Sequence, residues 1–403
     1  KATADCSLEY QPRLSELQGL YDDHPNGALT KDLGLPIASG NWWIYELLNS
    51  NGSSWYYQVF NLSTGRVSSA LSPVALMLCL AQPHSKPSSV TLTSIAFDET
   101  RTASNGGTPS ASAKKGETIP LVVTVKDQNG NLVSGEGVTL QRAQSKNRTG
   151  NKPSSTSADD LIVDVVTPTA ARISFAQDTA KWLGFTGSDG TVTFNVTQNA
   201  TTGLATPFTV SLAQDPQITS NLDLIFTVVT SPDAQDADYW GHMPETVTAA
   251  NGTVFERPKL WKELPSTSGV NKTNNNNEEW PYFSSTTKAN ASLSPCEEAR
   301  QPLLSDMKSL YQRYPNNTLT TETGWSVYYY WWAQDKTTDG KNQSLNMKDG
   351  TTTLNGNAAY QACLVSARAT VSSVTLTSTA FDADSQAAKV KKGEAMSVTV
   401  TVK

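Results

Sequence analysis

SSVTLTSIAFD, beginning at Ser88, returns as SSVTLTSTAFD at Ser372, and KKGE at Lys114 returns as KKGE at Lys391. Upstream, Cys6, the run PRLSELQGLYDDHPN from Pro12 and Cys79 are echoed by Cys296, PLLSDMKSLYQRYPN from Pro302 and Cys363. Pro12 to Pro302 and Tyr21 to Tyr311 are both shifted by 290 positions, while Cys79 to Cys363 and Val90 to Val374 are both shifted by 284. A long unit therefore recurs with small loop insertions and deletions, which indicates an array of whole domains rather than a solenoid of short repeats. The second telling breaks off inside a strand-like run, so the chain reads as a piece of something longer.

The 403 residues suit two to four domains, each large enough for its own core. Only 17% of residues are charged and the net charge is −6, while Thr, Ser and Asn abound. That composition fits an extracellular β protein and argues against a phosphate-backbone partner, which would require a basic face. No apolar run reaches membrane-spanning length, so the fragment itself is expected not to be embedded.

Four cysteines allow three pairings, and the duplication selects Cys6 with Cys79 and Cys296 with Cys363, one bridge per copy. Each bridge closes a loop of about 70 residues, for which chain entropy gives roughly 4 kcal/mol. Neither spacing resembles a metal clip, so structural disulfides in an oxidising compartment are expected.

Within each cysteine-bounded stretch, Leu14, Leu17, Leu20 and Tyr21, then Leu303, Met307, Leu310 and Tyr311, recur at helical spacing, and Pro25 and Pro315 stop the helix. Aromatic-dense strands follow, WWIYELL and SWYYQVFNL in the first copy and SVYYYWW in the second, with Gly65 and Gly350 at equivalent turns. Between the copies, period-two runs at 119–125, 138–140, 192–196, 208–212 and 222–228 indicate an immunoglobulin-type β-sandwich. Residues 145–188 read as an insertion in it, and NKTNNNNEEW as a surface linker with Trp280–Phe283 opening the next module. The expected order is 1–86, an α+β module; 87–272, an enlarged sandwich; 273–368, a second α+β module; and 369–403, a partial sandwich.

VTVKDQNGNLVSGEGVTL resembles the bacterial immunoglobulin-like repeat of intimin and invasin-type adhesins, the inverse autotransporter family of outer-membrane proteins. The sequence ending in YWGHMPETV and FERPKL resembles the expanded adhesion domain of large members. LSELQGLY or LLSDMKSLY, the Trp-rich strand and AYQACL are similar to the C-type-lectin-like domains that accompany such repeats. The resemblance implies a mainly β, multidomain chain on the bacterial cell surface, with immunoglobulin-like sandwiches flanked by lectin-like modules acting as stalk and binding tip. Calcium-dependent lectins use Glu-Pro-Asn or Gln-Pro-Asp with Trp-Asn-Asp, and neither copy contains such a tripeptide, so the calcium site is not carried over.

Enzyme chemistry finds little support. The three histidines are His24, His84 and His242, and no Gly-x-Ser-x-Gly elbow or His-Glu-x-x-His helix accompanies them. DQNGN at Asp127 reads as a hairpin turn rather than a calcium loop, since the distal Glu is missing. No catalytic residue, metal ligand or cofactor is expected. The candidate recognition residues are the strand tryptophans Trp42, Trp43, Trp331 and Trp332, since about half of such rings should face inward and the rest can anchor a partner. The expected function is attachment, as a monomer, to a host cell-surface or extracellular-matrix protein or glycan. A stalk without its own ligand and a metal-independent carbohydrate-binding module are the alternatives.

Overall fold

The computed structural model describes residues 11–25, 28, 41–50, 54–62, 64–70, 85–151, 161–166, 180–276, 278–284, 294–354, 359–368, 373–382, 387–392 and 394–402. By backbone contacts the chain forms two compact units. The first comprises Lys1–Pro244 with Asn274–Glu279 and Thr321–Gly324, the second Glu245–Thr273, Trp280–Thr320 and Trp325–Lys403. They part at Pro244/Glu245, upstream of the 272/273 boundary read from the sequence.

The first unit opens with the expected helix, Leu14–Asp23. An antiparallel sheet follows in the order β1 (Asn41–Ser50), β2 (Ser54–Asn61) and β3 (Arg66–Ala70). Trp42 pairs with Phe60 and Trp43 with Val59 in its backbone register. At the start of the helix the Arg13 N–H donates to Glu16 at 2.8 Å, a box that satisfies an otherwise orphaned donor. The Arg13 guanidinium reaches further along the chain, to Glu136 at 2.9 Å and the Ser134 carbonyl. The two side chains are only 4% and 2% exposed. Burial pushes the Glu136 carboxyl above its usual range, opposed by the Arg13 charge.

The immunoglobulin-like sandwich then follows from period-two alternation. One sheet has the order β4 (Pro87–Ser94), β6 (Thr118–Asp127), β10 (Thr191–Gln198), β8 (Leu161–Val166). The other runs β13 (Gly241–Met243), β12 (Thr219–Pro232), β11 (Leu204–Leu212), β7 (Gly137–Arg142), β9 (Lys181–Phe185), with β5 (Ser110–Lys114) pairing β12 in parallel. Inward residues of both sheets, among them Leu121, Val123, Phe194, Phe208, Val210 and Leu224, make one core. Each such buried side chain contributes about 1.5–3 kcal/mol. The 145–188 stretch supplies an edge strand to each sheet, β8 beside β10 and β9 beside β7.

Trp240 covers the outer side of β11 and β12, packing on Ala205 and Ile225. Arg148 and Arg101 lie over its ring at 4.6 and 5.6 Å and share the Asp233 carboxylate at 2.8 and 2.5 Å. Gly241 follows because a Cβ there would sit 1.7 Å from the Ser231 carbonyl oxygen. His242 is half-buried with Nδ1 2.8 Å from the Thr227 hydroxyl.

β14 (Thr246–Thr248) and β15 (Val254–Glu256), both of the second unit, pair as a hairpin, and further elements follow along the chain. The asparagine run departs from the expected linker: β16 (Asn271–Asn275) and β17 (Glu278–Tyr282) form a two-stranded sheet. Asn276 makes the turn at φ +54°, a conformation asparagine tolerates better than most residues. After the helices Leu304–Arg313 and Thr318–Thr323 comes a sheet in the order β20 (Thr352–Leu354), β19 (Asn342–Leu345), β18 (Tyr330–Lys336), β21 (Ala359–Tyr360), and β22 (Cys363–Leu364) joins β15. Cys296 and Cys363 are bonded, with Cα atoms 5.4 Å apart. Cys6 and Cys79 lie outside the described residues.

The repeated sequence carries repeated geometry. Leu303 N–H donates to Asp306 at 2.9 Å as Arg13 does to Glu16, and the helices end at Tyr314 and His24 with nearly the same φ and ψ. Gly65 and Gly350 have φ +66° and +74°, and a Cβ on them would lie 2.6 and 2.5 Å from the rings of Tyr21 and Tyr311. Downstream, β23 (Val374–Ser378) pairs antiparallel with β26 (Val398–Val402), as β4 pairs with β6, while β24 (Phe381–Asp382) pairs with β25 (Ala387–Ala388). Lys114 and Lys391 N–H groups donate to Glu117 and Glu394 at 2.8 and 3.1 Å. Val90, Leu92 and Val123 are buried under the facing sheet, whereas Val374, Leu376 and Val400 are exposed.

Two stability outcomes are expected. Gly350→Ala combines a left-handed φ with a ring clash and should cost about 2 kcal/mol or more, read from the urea midpoint. Glu278 is buried, accepts the Asp238 and Tyr239 N–H groups at 3.0 Å each, and is pushed by burial from 4.5 to about 7. A raised carboxyl pKa means the folded state holds the proton more tightly than the unfolded chain. Its contribution is therefore complete below pH 4.5 and lost as pH rises towards 7, on the order of 3 kcal/mol. Thermal melts across that window should fall more steeply for the native chain than for Glu278→Gln. Parallel curves would refute this.

Candidate recognition surface

The second unit builds its aromatic site on buried rings. Trp331 is 0% exposed, its centroid 5.3 Å from Trp325 and 5.1 Å from Tyr360, and its indole N–H donates to the Ser326 carbonyl at 3.1 Å. Trp325 in turn meets Phe255 edge-on at 6.3 Å, and Trp280 meets Tyr360 at 6.1 Å. Trp332, 1% exposed, points the other way into a cluster with Leu264, Val270, Phe283 and Ala359, and donates to the Phe283 carbonyl at 2.9 Å. Strand β18 is thus covered on both faces, so Trp331 and Trp332 are packing residues with no ring left for a ligand. For Trp42 and Trp43 only the backbone is described.

Beside this pedestal three tyrosine rings reach the surface. Tyr329 meets Tyr360 edge-on at 5.7 Å, Tyr282 leans on Tyr329 at 4.9 Å and 48°, and Tyr328 stands edge-on to Tyr329 at 4.8 Å and 81°. Tyr328 is 63% exposed, while Tyr282 and Tyr329 are half-buried. Ser326 ties this corner to the pedestal: its hydroxyl donates to the Tyr360 oxygen at 2.8 Å and accepts the Tyr328 N–H at 3.3 Å. Burial, then the Tyr282 and Tyr328 phenols, push the Tyr329 hydroxyl above the ordinary tyrosine range. The YYY run before the tryptophans was visible in the sequence. What was not visible is that the tryptophans, being larger and more apolar, take both inward faces and leave the tyrosines outside.

Other candidate chemistry resolves into turns. The Asp127 carboxylate is consumed by its own loop, accepting the Asn131 side chain at 3.1 Å and the Asn129 and Asn131 N–H groups at 2.8 and 2.9 Å. Those bonds, the Asn131 side chain first, hold its pKa below the usual carboxylate range. Among the described residues no three His, Cys, Asp or Glu side chains gather in a metal-holding group, and no helix is long and apolar enough to cross a membrane.

Trp331→Ala should unfold the second unit at markedly lower denaturant, by about 3–5 kcal/mol, whereas Tyr328→Ala should leave the midpoint within about 0.5 kcal/mol. Equal effects in urea titrations would contradict the division into pedestal and surface.

Comparison with known proteins places the chain. The adhesion-domain family model of InvE matches residues 1–80 and 232–364, together more than half of the chain. A bacterial immunoglobulin-like family, number 21, matches residues 116–229. The structure is similar to that of the Yersinia pseudotuberculosis adhesin InvE, with a TM-score of 0.53 and 22% identity over 79% of this chain and 84% of that one. Two looser matches carry no argument. They are the Escherichia coli adhesin FdeC, at TM-score 0.22 and 12% identity over 58% and 69% of the two chains, and the bacterial integrin-binding protein invasin, at 0.22 and 12% over 77% and 65%. No curated protein matches. With its family match and its sandwich between the two matched segments, the chain belongs to the InvE adhesion-domain family of bacterial adhesins.

Proposed function

We propose that this chain is the exposed part of a bacterial outer-membrane adhesin that attaches to host cells or extracellular matrix without catalysing a reaction. The observation that carries this reading is the tyrosine corner of the second unit, Tyr282, Tyr328 and Tyr329, held outward on a buried tryptophan pedestal. Tyrosine presents large area with little side-chain entropy to lose and a hydroxyl that still bonds water when unbound, which makes it a favoured interface anchor. Membership of an adhesion-domain family supports the same role. In this reading the cysteine-bonded modules are lectin-like in fold and work as monomeric tips, and the sandwiches space them from the cell. Beads coated with the chain should adhere to epithelial cells or matrix proteins, and beads coated with Tyr328→Ala should adhere less. Adhesion no better than that of control beads would sink the proposal.

A second reading, a stalk that only spaces a distant tip, draws support from the Cys296–Cys363 bond. That bond closes 67 residues against extension. At about 3.4 Å per extended residue, it hides roughly 23 nm of contour length. Pulled singly, the second unit should lengthen by about that much more under reductant than without it. A chain that resists force and binds no cell or matrix component would be a stalk alone.

A further inference from the structure

We infer that the Tyr282–Tyr328–Tyr329 corner is a metal-independent seat for an uncharged glycan, the terminal sugar lying against the Tyr328 ring with its hydroxyls among the three phenols. The inference rests on the attachment reading and names the ligand class of that surface. Its geometry is that of a corner rather than a flat patch, since Tyr328 and Tyr329 meet at 81° and Tyr282 is tilted against Tyr329 at 48°. A pyranose is built to match such a corner, because it has an apolar C–H face and a rim of hydroxyls. The apolar face takes an aromatic ring, and the rim meets phenols that both donate and accept.

Charge decides which sugars fit. Apart from burial, the groups among the described residues that act on the Tyr329 hydroxyl are the other two phenols. A sialylated or sulfated sugar would bring an anion to phenols that, among the described residues acting on Tyr329, are joined by no cation, and losing its hydration there would go uncompensated. A neutral sugar loses only hydroxyl–water bonds, which the phenols replace. Among the described residues no group of three His, Cys, Asp or Glu side chains stands ready for a calcium ion, which requires six or more oxygen ligands. The base of the corner is also tied down. The Ser326 hydroxyl bonds both the Tyr360 oxygen and the Tyr328 N–H, which lowers the ordering cost of the backbone there.

The whole chain should be tested on a glycan array holding neutral and acidic structures together with proline-rich peptides, with and without EDTA. Neutral hexose-terminated glycans should give the signal, EDTA should leave it intact, and the matching free methyl glycoside should abolish it. Tyr328→Ala should weaken binding at least tenfold, and Tyr328→Phe, which keeps the ring, by less, with both melting as the native chain does. A blank array, a signal confined to acidic glycans or to proline-rich peptides, or loss of signal in EDTA would each overturn the assignment. Should the Tyr328 variants melt early, competition by the methyl glycoside decides alone. Beads that adhere equally to native and deglycosylated cells would remove the glycan while keeping the attachment. Beads that adhere to neither would remove both.

Discussion

Burial of the Trp331 indole is the constraint on which the second unit's surface depends. The ring is flanked by Trp325 and Tyr360, and its one polar atom is satisfied by the Ser326 carbonyl. Because the indole and its neighbours fill that interior, the next rings along the same column, Tyr329, Tyr282 and Tyr328, have nowhere to go but outward. Tyrosine tolerates that position, since its hydroxyl stays hydrated while its ring leans on others. The presented surface is thus a consequence of how the core is filled.

Within the first unit, rigidity comes from a different source. Arg13 and Glu136 form an ion pair sealed from solvent between the opening helix and the sandwich, where loss of one partner would strand a buried charge. At the equivalent place in the second helix stands Leu303, so this lock belongs to one copy although the helix, its capping and the Gly–Tyr contact recur in both. Around Trp240, two arginines on one ring and one carboxylate fasten the segment that leaves the sandwich. Both devices suit a protein whose work is to hold position.

Much of this was legible beforehand. The strands expected at 119–125, 138–140, 192–196, 208–212 and 222–228 all lie within observed strands, because a sandwich with one face in water preserves period-two alternation. The helix at Leu304–Arg313 followed from its apolar spacing and its proline stop. The asparagine run differs from the linker its composition suggests: a tract poor in apolar residues has no strand signature, and β16 exists because its pairing to β17 supplies the backbone partners. The 145–188 stretch looked like an insertion for a similar reason, since whether a strand joins an edge depends on partners far away in sequence.

By itself the sequence determined the duplication, the immunoglobulin-like alternation, the turn glycines and the absence of a calcium tripeptide, because these are local patterns of residue type and spacing. Only the tertiary structure decided which aromatic rings are buried and which reach the surface. The expectation that half of a strand's rings lie inward assumes one wet face, and β18 has none: Trp331 packs on the ring column and Trp332 on the Phe283 cluster. Alternation distinguishes two faces of a strand but not what covers each, and that depends on elements brought together from residues 264 to 360.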